Sequence, residues 1–279
     1  MSDAASHLVA DAADAADAAD AAMTARRREA KYLVTADQAR SLARELDRRI
    51  ASHRHRGEGA NTLPSAHHYV TTIYFDTASR ALFRAAHGNE QHLKLRAKEY
   101  YDLHPDLTEI ATDPRQLVRY QPILWLEIKE RDGAHTGKRR IGIPKHDLPA
   151  FFERGEVSPD MTQVEARDTL EGLAALCARC REPLRADCVV NYRRTAWQDD
   201  AIGLRVTIDT GLAFFAPPSD LFDRDFALVR PTLGAPVAVE ARRVIEIKTH
   251  GEPPTWLAGL LDRPVAFSKF EAASSAVHG

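Results

Sequence analysis

The chain has 279 residues, enough for one large domain or two small ones, and its 44% hydrophobic content is that of a globular protein. Its 38 basic and 40 acidic residues leave a formal net charge of −2. That balance argues against a nucleic-acid-binding surface, which would leave the domain strongly basic, yet a local basic cavity remains compatible with it. The three cysteines, Cys177, Cys180 and Cys188, fit a reduced cytoplasmic setting. No apolar run is long enough to span a bilayer, and the acidic, Ala-rich start does not read as a signal peptide. Any coupling to a membrane would therefore need a partner protein.

Residues 1–24 form a low-complexity tail in which Asp11, Asp14, Asp17 and Asp20 recur among alanines. Such a segment has little to bury and is expected to be disordered or a frayed helix. Its aspartates hide part of the positive charge of the remainder, residues 25–279, which reads as one domain. REAKYLV is expected to be a strand. Thr35-Ala-Asp-Gln38 matches a capping box, and the helix behind it carries Ala39, Leu42, Ala43, Leu46 and Ile50 on one face. SHRHRGEGANTLP reads as a polar loop in which His53 and His55 are solvated. YVTTIYFDT is a strand, with Asp76 opening a turn, and HLKLRAKEYY is the next strand.

ILWLEIKERDGAHTGKRRIGIP reads as a hairpin around a Gly-containing turn. HDLPAFFERG and EARDTLEGLAALCARC read as helices. The second contains Cys177-Ala-Arg-Cys180, where no second pair follows and packing is the expected role. ADCVVNYRRTAWQDD, GLRVTIDTGLAFFA and VAVEARRVIEIKTH read as three further strands, and PTWLAGLLD and SKFEAASSAV as short helices. Strands in hairpin order with helices between them favour an antiparallel α+β fold. About eight strands can close into a β-barrel with flanking helices, which also removes exposed edges.

Charged residues in these strands stand two positions apart: Lys94 and Arg96, Glu127 and Lys129, Lys138 and Arg140, Glu246 and Lys248, with Arg205, Thr207 and Asp209 as a triplet. A strand points every second residue to the same side, so each set shares a face and the apolar neighbours share the other. On a single strand, such a face is most often solvated and tied by cross-strand ion pairs. If five such faces line one lumen, its cations need an anionic ligand, because buried charges without partners are costly. Arg can hold phosphate oxygens bidentately and Lys supplies a point charge. A minority of carboxylates could hold a divalent metal that bridges phosphates. The chain contains no P-loop, G-x-G-x-x-G, G-x-S-x-G or H-E-x-x-H motif.

The ordered series REAKYLV, YFDT, KLRAKEY, LEIKERDGAHTGKRR, NYRRTAW, LRVTIDT, VIEIKTH and FSKFEAA resembles the VTC domain of polyphosphate polymerases. That domain falls within the triphosphate tunnel metalloenzymes, the CYTH superfamily. The resemblance runs from about residue 27 to residue 275. It implies an antiparallel eight-stranded tunnel lined by basic side chains. It also implies transfer of the ATP γ-phosphate to a growing polyphosphate chain with release of ADP, assisted by Mn2+ or Mg2+.

Carried across by motif, the resemblance assigns catalytic roles to Lys31, Arg96, Lys129, Arg194, Arg205 and Glu246. Arg193 is the rival to Arg194 if the register shifts by one. Lys94, Lys138, Arg140, Lys248 and Lys269 join them as phosphate-binding groups. Glu246 is the expected metal ligand, joined by Glu29 or Glu127. Hydrolytic members usually begin E-x-E-x-K, whereas this chain has Arg27 at the first glutamate position. That departure favours polymerisation over hydrolysis. Two alternatives stay open: a triphosphatase acting on inorganic triphosphate or a nucleoside triphosphate, and a non-catalytic polyphosphate-binding domain.

Overall fold

The computed structural model describes residues 28–52, 67–87, 92–103, 118–120, 123–132, 135–154, 164–180, 182–223 and 228–279. The aspartate tail, His53 and His55 lie outside them. The strands are β1 (Arg28–Val34), β2 (His67–Asp76), β3 (His92–Leu103), β4 (Val118–Tyr120), β5 (Ile123–Asp132), β6 (His135–Pro144), β7 (Arg185–Asp199), β8 (Leu204–Phe215), β9 (Ala238–Val239) and β10 (Arg243–Thr249). The helices are α1 (Ala36–Arg49), α2 (Ala81–His87), α3 (Leu148–Arg154), α4 (Val164–Cys180), α5 (Thr255–Ala258) and α6 (Lys269–His278). The strand path runs β1-β10-β8-β7-β2-β3-β5-β6, with β4 beside β3 and β9 beside β8. The fold is thus the expected antiparallel α+β sheet with flanking helices. No pairing joins β6 to β1 among the described residues.

Two compact units divide these elements. The first takes the described residues up to His67, then 194–210 and 241–267; the second takes 68–193, 211–240 and 268–279. In the first unit, α1 begins as its sequence predicts. The Thr35 hydroxyl accepts from Gln38 N, and the Gln38 side chain accepts from Thr35 N. Its apolar stripe of Ala39, Leu42 and Leu46, continued by Ile50, packs on Leu204, Val206 and Ile208 of β8 and Ile245 and Ile247 of β10. Trp197 joins this core, and its indole N–H donates to Asp47 at 2.8 Å.

In the second unit, Ile73, Phe75, Leu95, Leu124, Leu126, Ile128, Ile141 and Ile143 pack with Phe151 of α3 and with Leu173 and Leu176 of α4. Cys180 packs, partly buried, against the same core. Asp76 does open a turn, and it also caps α2, accepting from Leu82 N and Phe83 N at 2.9 and 2.8 Å. The ALFRAAH stretch of α2 has no strong helical period, so this helix was not expected from sequence.

The stretch read as one strand from Val237 to His250 is two, β9 and β10, separated at 240–242. Opposite this break, Gly211 takes φ +64°, a backbone conformation natural to glycine. The PTWLAGLLD helix is only α5, four residues long, because Gly259 already sits at its C-cap. The strand faces that pack against helices also bury a Lys145–Glu99 pair at 3.2 Å, and Leu228 N donates to the second Glu99 oxygen at 2.8 Å.

Candidate active site

Strand parity separates two faces in the second unit. Leu93, Leu95 and Ala97 of β3, Leu124, Leu126 and Ile128 of β5, and Ile141 and Ile143 of β6 are buried in its core. The intervening residues therefore share the opposite face. Their register aligns them in rows across three strands. Lys94, Lys129 and Lys138 stand side by side. The next row is Arg96, Glu127 and Arg140, and the third is Lys98, Trp125 and Gly142. Over these rows, six cations accompany one carboxylate. Like charges placed directly opposite one another destabilise a sheet, so a row of three lysines has no stabilising purpose of its own.

Glu127 is 1% exposed and receives Arg96 Nε at 2.7 Å and Lys98 Nζ at 2.9 Å. Burial alone would lift the Glu127 pKa, but Arg96, Lys98 and Lys138 hold it well below the usual glutamate range. Burial works most strongly against the Arg96 charge, but Glu127 together with Tyr74 and Tyr192 outweighs it, so the guanidinium stays protonated. Lys98 behaves differently. Burial, together with neighbouring Arg96, holds its ammonium well below the ordinary lysine range despite Glu127.

Tyr74 lies opposite Arg96 on β2, with its ring stacked on Phe270 at 5.1 Å. Arg140 lies over the Trp125 ring, 4.5 Å from its centroid. Helix α6 supplies the remaining side chains. Its N-cap Ser268 and its first-turn Glu271 receive Lys94 Nζ at 2.8 and 3.2 Å. Lys269 places its Nζ 4.9 Å from the Tyr192 ring centroid.

The first unit has its own charged face. Its rows are Glu29–Lys248–Arg205, Lys31–Glu246–Thr207 and Leu33–Val244–Asp209 across β1, β10 and β8. The alternate residues face α1 and the apolar core. Within this face Lys31 pairs with Glu29 at 3.1 Å, and Lys248 pairs with Glu246 at 2.9 Å. Lys31 Nζ also donates to Phe267 O at 3.3 Å. Asp209 is fully buried and receives Arg194 through two bonds, Nε at 2.7 Å and Nη2 at 2.8 Å. Arg193, the rival by one position, is exposed, while Arg194 is partly buried.

The expected site residues thus fall into two groups. Lys94, Arg96, Glu127, Lys129, Lys138, Arg140 and Lys269 belong to the second unit, and Glu29, Lys31, Arg194, Arg205, Glu246 and Lys248 to the first. Sequence reasoning passed over Lys98, although the same parity, carried one step beyond Lys94 and Arg96, reaches it. It also passed over Tyr74, Trp125 and Glu271, which carry no charge-pair signal of that kind. Among the described residues no group of three His, Cys, Asp or Glu side chains is poised to hold a metal. Glu246 and Glu29, one row apart on adjacent strands, suit a cation such as Mg2+ or Mn2+ that takes one or two carboxylates and completes its shell with phosphate and water. Glu127 fits that task less well, since its two oxygens already receive a guanidinium and an ammonium.

Among the described residues no helix is long and apolar enough to cross a membrane. Several solved structures are similar at low identity. One is a candidate adenylate cyclase from Bacillus halodurans, at 12% identity over 88% of this chain and 95% of that one, with a TM-score of 0.46. Another is the PH1819 protein from Pyrococcus horikoshii, at 13% identity over 88% and 97%, TM-score 0.42. A third is a candidate adenylyl cyclase from Hippeastrum described as having a dominant triphosphatase activity, at 13% identity over 90% and 95%, TM-score 0.44. The sequence has no match among curated proteins. The VTC domain family model matches residues 26–278, which spans every charged row described above. The chain is a member of the VTC domain family.

Proposed function

We propose that this protein is a polyphosphate polymerase that transfers the γ-phosphate of ATP to a growing polyphosphate chain and releases ADP. The observation that carries the reading is the clustering of cations on the β3–β5–β6 face, where a row of three lysines adjoins a row of two arginines and one glutamate. A linear chain of phosphates satisfies such a surface better than a single anion does, because each row can hold its own phosphate oxygens. Family membership supports the same ligand class.

In the proposed reaction, a terminal oxygen of the polyphosphate chain attacks the γ-phosphorus in line. The new P–O bond forms as the bond to the β,γ-bridging oxygen breaks, and ADP leaves with the electron pair. The acceptor is already an anion, so no general base is needed. Arg96, Lys129 and Lys138 stabilise charge spread over the transferring group, with Lys94, Arg140 and Lys269 holding phosphates. Lys31, Arg205 and Lys248 serve the phosphates at the first unit's face. Arg194 acts with Asp209, whose buried carboxylate fixes the guanidinium in place.

Glu246 and Glu29 would hold a divalent metal, which supplies charge neutralisation at phosphate oxygens. Glu127 serves as the counter-ion that orients Arg96 and Lys98. A cytoplasmic setting fits the chemistry, since ATP is the donor.

Incubation with ATP and Mn2+ tests the reading. Polyphosphate and ADP in matching amounts are expected. Orthophosphate with no polymer would replace polymerase by triphosphatase. Binding of polyphosphate with no turnover of ATP would leave a binding domain.

A further inference from the structure

Thr207 stands among the charged residues of the first unit and has no place in the reading so far. It lies on the charged face of β8, directly opposite Glu246, with Lys31 next in the same row. Arg205 and Lys248 form the adjacent row. The residue is 5% exposed, and its Oγ1 is buried with no hydrogen-bond partner. A buried hydroxyl left unsatisfied is costly, and native proteins keep few of them. Valine has nearly the same shape, suits a strand equally well and would leave nothing unpaired. Packing alone therefore does not account for threonine at this position.

We propose that the Thr207 hydroxyl is a phosphate-binding group, donating a hydrogen bond to a phosphate oxygen held at the β1–β10–β8 face. The surrounding charge favours this ligand, because Lys31, Lys248 and Arg205 all lie within one row of it. The carboxylates of that face already have cations: Glu29 has Lys31, Glu246 has Lys248, and Asp209 has Arg194. The Thr207 hydroxyl has a hydrogen to give and, among the described residues, no acceptor beside it. A phosphate reaches it when Lys31 and Lys248 swing on their flexible stems from carboxylate to phosphate. The same swing uncovers Glu246 and Glu29. The assignment rests on the phosphate-handling function proposed above and adds a neutral donor to its cationic set.

Calorimetric titration of the full chain with inorganic tripolyphosphate, with a chelator and again with Mn2+, tests it alongside thermal melting. Thr207→Val is expected to weaken binding about tenfold or more under both conditions, the effect of losing a hydrogen bond to a charged group. Its melting temperature should equal or exceed that of the unaltered protein. Thr207→Ser, which restores the hydroxyl, should bind within about threefold of the unaltered protein. Unchanged affinity in Thr207→Val overturns the assignment. So does a loss accompanied by a lower melting temperature, which would make the hydroxyl structural. A loss confined to the Mn2+ titration also overturns it, by moving the hydroxyl to the metal. Absence of tripolyphosphate binding by the unaltered protein is a separate result, which sinks the phosphate reading itself.

Discussion

Glu127 is the buried carboxylate that receives both Arg96 and Lys98. It remains ionised because Arg96, Lys98 and Lys138 overcome the cost of its burial. Its pKa in the folded chain lies well below the ordinary value of 4.5, so as pH falls the unfolded chain takes up the proton first. The stability that Glu127 confers is therefore full above about pH 5 and drains away as pH falls through and below 4.5. Glu127→Gln removes that dependence. It should cost ~3–5 kcal/mol at pH 7, as expected when one member of a buried ion pair is lost. Between pH 5 and pH 3, however, its melting temperature should fall less steeply than that of the unaltered protein. Parallel melting curves across that range would mean that Glu127 is not the depressed group.

At the level of strands and helices, the charged rows make a prediction about the sheet. The central lysine of its row, Lys129, has Lys94 on one side and Lys138 on the other. Lys129→Met keeps the stem and removes the charge. Tripolyphosphate affinity should drop about tenfold, ~1.4 kcal/mol, with a weaker salt dependence, while the melting temperature stays within about 2 °C. A large fall in melting temperature, with affinity per folded molecule unchanged, would make the row structural.

These rows were legible because strand alternation is strict. Once Leu93, Leu95 and Ala97 are assigned to the core, Lys94, Arg96 and Lys98 must share the other side. Helix α1 was legible for a similar reason, since the capping box and the 3.6-residue stripe agree. What stayed hidden depends on long-range partners. Nothing local says that Arg194 meets Asp209, that Ser268 and Glu271 receive Lys94, or that Glu99 and Lys145 pair on the apolar side. The break between β9 and β10 was hidden too, since VAVEARRVIEIKTH alternates well enough to read as one strand.

For the whole molecule, the low net charge conceals its distribution. Residues 1–25 contain five aspartates and no lysine or arginine, so the formal charge of −2 for the full chain becomes +3 for residues 26–279. The family match begins at residue 26, so the acidic tail lies outside it. A polyanionic ligand approaching the basic faces meets the field of the entire chain, tail included. At 10 mM salt the Debye length is ~30 Å, and five negative charges at one Debye length from a ligand carrying about four would oppose it by ~1 kcal/mol. Removal of residues 1–25 should therefore tighten tripolyphosphate binding about fivefold at 10 mM salt. At 150 mM salt the Debye length shrinks to ~8 Å, and the truncated and full chains should bind alike. Melting temperature should not change, because a stretch made mostly of alanine and aspartate has little apolar surface to bury. An affinity difference that persists at 150 mM salt would show the tail in direct contact with the ligand or the site. Weaker binding after deletion would show that the tail assists binding, contrary to the sign its charge requires.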